Sequence, residues 1–162
     1  MNYKNIQDSV YSNKLQKNFN VTDIGKEIIL MSEEFGELCQ SYLIKNDVDM
    51  IDAVGDLQVY CLGLCSMLNL SADETKSSVS KSSSIEQTII RIGGELGMIA
   101  KAYKKSNKQQ ANYIDKKDVF AHHTGQLMSY LSEVFGLLDV DEYDILNRIV
   151  ANNVSRTHSG MI

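Results

Sequence analysis

Between residues 33 and 56 the chain carries a set of acids, Glu33, Glu34, Glu37, Asp52 and Asp56, within stretches that otherwise read as buried helix. Residues three or four apart share a helix face, so Glu37 neighbours both Glu33 and Glu34, and Asp52 lies one turn from Asp56. An acidic pair on a helix is more often a solvated face. Here, however, Glu34 and Glu37 flank the apolar stripe marked by Phe35 and Leu38, and Ile51, Val54, Leu57 and Val59 surround the two aspartates. Like charges at this spacing weaken a helix, and half-buried carboxylates are costly unless something neutralises them. Mg²⁺ or Mn²⁺, hard cations that take oxygen ligands, would do so. Neither helix contains a histidine, which argues against zinc and against the Glu-x-x-His pattern of di-iron bundles.

These acids need helices to hold them, and the periodicity supplies them. Ile24, Ile28, Met31, Phe35, Leu38 and Tyr42 recur every three or four residues, which predicts a helix over 22–45 capped by Thr22 or Asp23. A second helix over 48–69 is apolar on nearly every side after Asp56, as a central helix would be. Ser71-x-x-Glu74 reads as a capping box opening a short third helix, and 81–84 is the best linker. Proline is absent and strand signals are close to nil, so the expected class is all-α.

After that linker the sequence begins again. "EFGELCQSYLIKN" at 34–46 lies over "ELGMIAKAYKKSN" at 95–107, an offset of 61, and "GDLQVYCLGLCSMLNLS" at 55–71 lies over "GQLMSYLSEVFGLLDVD" at 125–141, an offset of 70. The expected architecture is therefore one domain, 1–162, a helical bundle of two tandem units, 1–80 and 85–162, packed as a pseudo-dimer. The repeat is an internal control. Glu33 corresponds to Gly94, Glu37 to Met98, Asp52 to His122 and Asp56 to Gln126, and only Glu34 keeps its acid, as Glu95. The helical frame is retained and the acidic cluster is not, which points to one metal site, in the first half.

Composition narrows the partners. The chain has 162 residues, 43% of them hydrophobic, enough for one compact core, and a net charge of −5 with no basic stripe, which disfavours a nucleic-acid polymer. Three cysteines, an odd number with Cys61 and Cys65 in an apolar run, suggest a reduced, cytoplasmic setting. The polar start "MNYKNIQDSV" shows no signal-peptide core, and no apolar run approaches a bilayer span, so no membrane partner is expected. The glycines at 36, 55, 93, 94, 97 and 125 form no phosphate loop and read as close helix crossings. His122, His123 and His158 read as bland.

"EEFGEL" followed about fifteen residues later by "DAVGDLQVY" resembles the all-α nucleoside triphosphate pyrophosphohydrolases, the MazG and dimeric dUTPase superfamily, and most nearly its phage-type members. The family pattern is Glu-x-x-Glu on one helix and Glu-x-x-Asp on the next. Glu34, Glu37 and Asp56 match, while Ala53 stands at the second-helix glutamate and Asp52, one residue earlier, is the substitute. "ANNVSR" at 151–156 is similar to the family's last-helix segment near the nucleotide phosphates, which implies substrate-binding roles for Asn152, Asn153 and Arg156.

The resemblance implies a Mg²⁺-dependent enzyme, with Mn²⁺ as a substitute, that converts a (d)NTP and water to (d)NMP and pyrophosphate, and host cytoplasm if the chain is phage-encoded. Glu34, Glu37, Asp52 and Asp56 would hold metal, and Glu33 or Glu37 would take the proton from the water that attacks the α-phosphorus. Arg156 or Lys45 would steady the leaving pyrophosphate, and base preference would depend on a pocket that includes the first helix, near Tyr3 to Gln16. A vestigial site would surround Glu95, His122 and Gln126, and the pseudo-dimer could pair again. The rival expectations are a helical protein that keeps a nucleotide or metal pocket without turnover, and a purely structural bundle.

Overall fold

The computed structural model describes residues 2–108 and 116–156. His158 lies outside the described residues. Within them the regular structure is entirely helical: α1 (Lys4–Gln16), α2 (Ile24–Leu43), α3 (Asp47–Met67), the single turn α4 (Ala72–Thr75), α5 (Ile85–Lys108), α6 (Lys117–Leu137) and α7 (Glu142–Ser155). No described helix is long and apolar enough to cross a membrane.

Helix α3 is the axis. From Ala53 to Cys65 its residues are buried on almost every side, because α2, α6, α1, α7 and α4 all pack around it. The three-residue connection after α2 folds α2 and α3 into a hairpin, and α5 and α6 pack on each other as extensively. The two pairs meet through α3 against α6 and α2 against α5, and one continuous core runs from Leu38 and Leu57 to Leu127 and Phe135. Helices α1 and α7 lie side by side across α3.

Local chemistry sets the helix ends. Asp23 caps α2 by accepting from the Lys26 amide, Asn46 caps α3 through the Asp49 amide, and Asp141 caps α7 through the Asp144 amide. The expected box at Ser71 does not form: Ser71 makes no capping bond and Glu74 is exposed. Asp73 instead accepts from the amides of Tyr3 and Lys4 and so holds the start of α1. Four helices end on a left-handed residue that is not glycine, Asn18, Lys45, Asn69 and Asp139. Each donates its amide back to the helix while the next residue's amide reaches further, as in Lys45 to the Tyr42 carbonyl and Asn46 to the Ser41 carbonyl.

Glycine permits close approach at three of the expected positions. A methyl group at Gly55 would collide with Ile149 of α7, one at Gly93 with the Phe35 ring, and one at Gly125 with the Thr75 carbonyl. Gly36, Gly94 and Gly97 face open space, so helix crossing does not account for them. The stretch expected to be a linker, 81–84, and the residues just before it are fastened to the helices. The Ser77 amide bonds the Gly125 carbonyl, Ser82 bonds Glu133 through both its amide and its hydroxyl, and Arg91 donates to the Ser80 carbonyl.

Candidate metal and nucleotide site

Helices α2 and α3 bring the acids of both together, and α7 joins them. Glu34 and Asp56 line one cavity of about 120 Å³ with Asn153 and Arg156 of α7. Its remaining walls are Val10, Asn13, Lys14 and Phe19 from α1 and the turn after it, Val59 and Tyr60 of α3, and Val150 of α7. Gly55 lets α7 lie this close, since any side chain there would meet Ile149. Lys17 donates to the Arg156 carbonyl and ties the end of α7 to α1.

The charges are unevenly compensated. Burial and then the charges of Asp56, Glu37, Asp52 and Glu33 push the Glu34 carboxyl up to about 8. Asp56 is pushed up to about 6 by burial and by Asp52, with Arg156 pulling the other way. All five acids therefore share one electrostatic neighbourhood with a single guanidinium at its edge. Burial, with Glu34 the nearest charge effect, also raises the Tyr60 phenol well above its ordinary range.

The donor set is oxygen, which suits a hard divalent cation and not a thiophilic one. Among the described residues no group of three or more His, Cys, Asp or Glu side chains is gathered for one ion, a spread that mutual repulsion among carboxylates favours. Glu37 and Asp52 line an adjoining groove with Gln40, Ser41 and Asp49. Glu33 is exposed, and so is Asn152, whose carbonyl accepts from Ser155. Lys45 is not brought to the cavity: it lines a separate groove with Tyr42, Met50 and Leu138, and its φ of 57° marks it as the residue that ends α2.

The second half is arranged differently. Glu95 is met by His123, its Oε2 2.7 Å from Nδ1, and not by His122, which is exposed. The residue one position along from the expected one turns inward, and the acid has a partner of its own.

Sequence reasoning did not single out Asn13, Lys14 or Tyr60. Lys14 forms a buried ion pair with Glu27, whose other oxygen accepts from Asn20 at 3.1 Å. Lys14 also donates to the Asn20 carbonyl at 3.2 Å, and Gly63 leaves room for the pair. The available signal was positional: Ile6, Val10, Asn13 and Lys14 share the inner face of α1, and two of these four are polar. No family model, no curated protein and no solved structure matches this chain.

Proposed function

We propose that the chain is a Mg²⁺-dependent nucleoside triphosphate pyrophosphohydrolase, releasing pyrophosphate and a nucleoside monophosphate. The observation that carries this is the single cavity in which Glu34 and Asp56, acids of two helices, face Asn153 and Arg156 of a third. The resemblance assigns those pairs to metal and to phosphate, and they lie far apart in the chain.

In this reading Glu34, Glu37, Asp56 and Asp52 would hold the metal. When bound it would offset phosphate charge and make a water more acidic. Arg156 orients the phosphates by charge-assisted hydrogen bonds, with Asn153 beside it. Exposed Glu33 or Glu37 accepts the proton of the attacking water. Catalysis of this kind rests on positioning and electrostatics, so no Ser or Cys nucleophile is required. Lys45 has no part in it, because its groove is elsewhere.

The architecture we propose is two tandem units packed as a pseudo-dimer. Support comes from the caps: Asn69 and Asp139 end α3 and α6 in the same left-handed conformation at the offset of 70, and Ser71 and Asp141 then precede α4 and α7. One half would carry the metal ligands and the other the phosphate contacts.

One observation favours a second reading, a protein that binds a nucleotide and metal without turnover. Position 53, where the family has glutamate, is 2% exposed and packed in the core as Ala53, while Asp52 points to solvent. Pyrophosphate release with Mg²⁺ decides between them. The enzyme reading expects release that falls at least roughly 100-fold in Glu34→Gln and Asp56→Asn, on the scale of losing key electrostatic groups. Metal-dependent nucleotide binding without release would establish the second reading.

A further inference from the structure

The turn between α2 and α3 is apolar where a surface connection is ordinarily polar. Leu43, Ile44 and Val48 surround the left-handed Lys45 and are 72%, 59% and 75% exposed. A single exposed apolar side chain is common, but three at one turn make a ridge. The hairpin does not need them for its own packing, because Leu38, Ser41 and Met50 close its inner side and are buried.

The same turn walls two grooves. In one, Lys45 and Asp47 stand over an apolar floor of Met50, Ile85, Leu137 and Leu138. In the other, Ile44 lies with Glu37, Asp49 and Asp52. The rim is acidic. Asp47 and Asp49 line the grooves, Asp139 follows Leu138, and Glu86, next to Ile85, accepts from the Tyr42 hydroxyl. All four are exposed, and among the described residues none of them has an ion-pair partner. Lys45 is the one cation among the described residues that line either groove.

Apolar side chains framed by unpaired acids complement a segment that carries apolar residues with Lys or Arg beside them. An amphipathic helix presents that combination, with apolar residues three and four apart and basic ones on the flanks. The same charges oppose the other occupants. A second copy meeting this face through a twofold axis would set acid against acid, in a chain whose net charge is −5. An anionic membrane surface would repel it for the same reason.

We propose that the α2–α3 turn is a docking surface for a basic amphipathic helix of a partner protein. The partner's apolar side chains cover Leu43, Ile44 and Val48 and enter the groove over Met50, and its Lys or Arg side chains meet Asp47, Asp49, Glu86 and Asp139. Glu37 and Asp52 add to the charge, but the four other acids carry the argument, so the inference does not rest on the pyrophosphohydrolase reading.

The probe is a fluorescent helical peptide of roughly 18 residues with leucine on one face and lysine on its flanks. A second peptide has glutamate in place of every lysine. Each is titrated into the full chain with a chelator present, and binding is read by anisotropy and by the methyl signals of Leu43, Ile44, Val48 and Leu137. The lysine peptide is expected to bind at least roughly tenfold more tightly than the glutamate peptide. Leu43→Ser with Val48→Ser is expected to weaken it at least roughly tenfold, the scale of losing two buried apolar side chains. Asp47→Asn with Asp139→Asn is expected to weaken it at least about twofold and to reduce its sensitivity to salt. The four substituted side chains are exposed, so the variants keep their core. Equal binding of the two peptides, undiminished binding in the Leu43 and Val48 variant, binding that leaves the methyl signals unmoved, or no binding in the millimolar range would each overturn the proposal. Self-association in sedimentation that the Leu43 and Val48 variant abolishes would give the face to a second copy and overturn it too.

Discussion

Glu34 is the side chain whose charge costs the fold most visibly. Its carboxyl titrates near 8 in the folded chain against an ordinary 4.5, so the folded state holds the proton more tightly than the unfolded one. Stability from this group therefore falls as pH rises from about 4.5 to about 8, and below that window both states are protonated and nothing changes. Asp56 behaves alike over a lower window, 3.8 to about 6. With a chelator present, Glu34→Gln is expected to raise the thermal midpoint at pH 8 by about 2–4 °C and to leave it unchanged at about pH 4, after allowing for solvent screening of a half-buried group. A pH series of thermal unfolding curves checks this, and a gain equal at both ends would refute it. The cluster of acids was legible in the sequence because its members sit at helix spacing on adjacent helices. Asn13 was not, since nothing about one amide on α1 says that α3 and α7 will close around it.

At the scale of elements, the Lys14 and Glu27 pair fastens α1 to α2 from inside. Burial pulls the Lys14 ammonium below its ordinary pKa while Glu27 supports the charge. Removing one member leaves the other charge buried with its ion partner gone. Lys14→Met is thus expected to lower stability by about 3–5 kcal/mol, and Lys14→Met with Glu27→Leu to recover most of that loss. Urea unfolding of the two variants measures it, and a double variant no better than the single would show that the pair adds more than its desolvation costs. The helices themselves were readable to within a few residues. The expected 22–45 and 48–69 became Ile24–Leu43 and Asp47–Met67, because apolar spacing and caps such as Asp23 act locally. What failed was also local in form but decided at long range. Asp73 bonds the start of α1 across 70 residues of chain, while the box that Ser71 and Glu74 spell out is left unmade.

Taken as a whole molecule, the chain treats Glu34 and Glu95 differently. Glu95 is paired with His123, while Glu34 is surrounded by like charge. Mg²⁺ is therefore expected to raise the thermal midpoint of the native chain, to do so less in Glu34→Gln or Asp56→Asn, and to act undiminished in Glu95→Gln. Thermal shift with and without Mg²⁺ is the measurement, and a loss in Glu95→Gln would place the ion in the other half. The two offsets, 61 and 70, are what suggest a repeated frame in the sequence. Which half keeps an open acidic site depends on a histidine turning inward one position from where the alignment put it, a matter of side-chain direction that spacing does not encode.

The cavity draws its walls from α1 and from α7, with nearly the whole described chain between them. During synthesis the α1, α2 and α3 surfaces emerge first, and Val10, Asn13 and Val59 then have no α7 to cover them. A ligand that needs both walls has nothing to hold until Val150, Asn153 and Arg156 have left the ribosome. A ligand held by both walls can therefore add its stabilisation only once the last helix has docked.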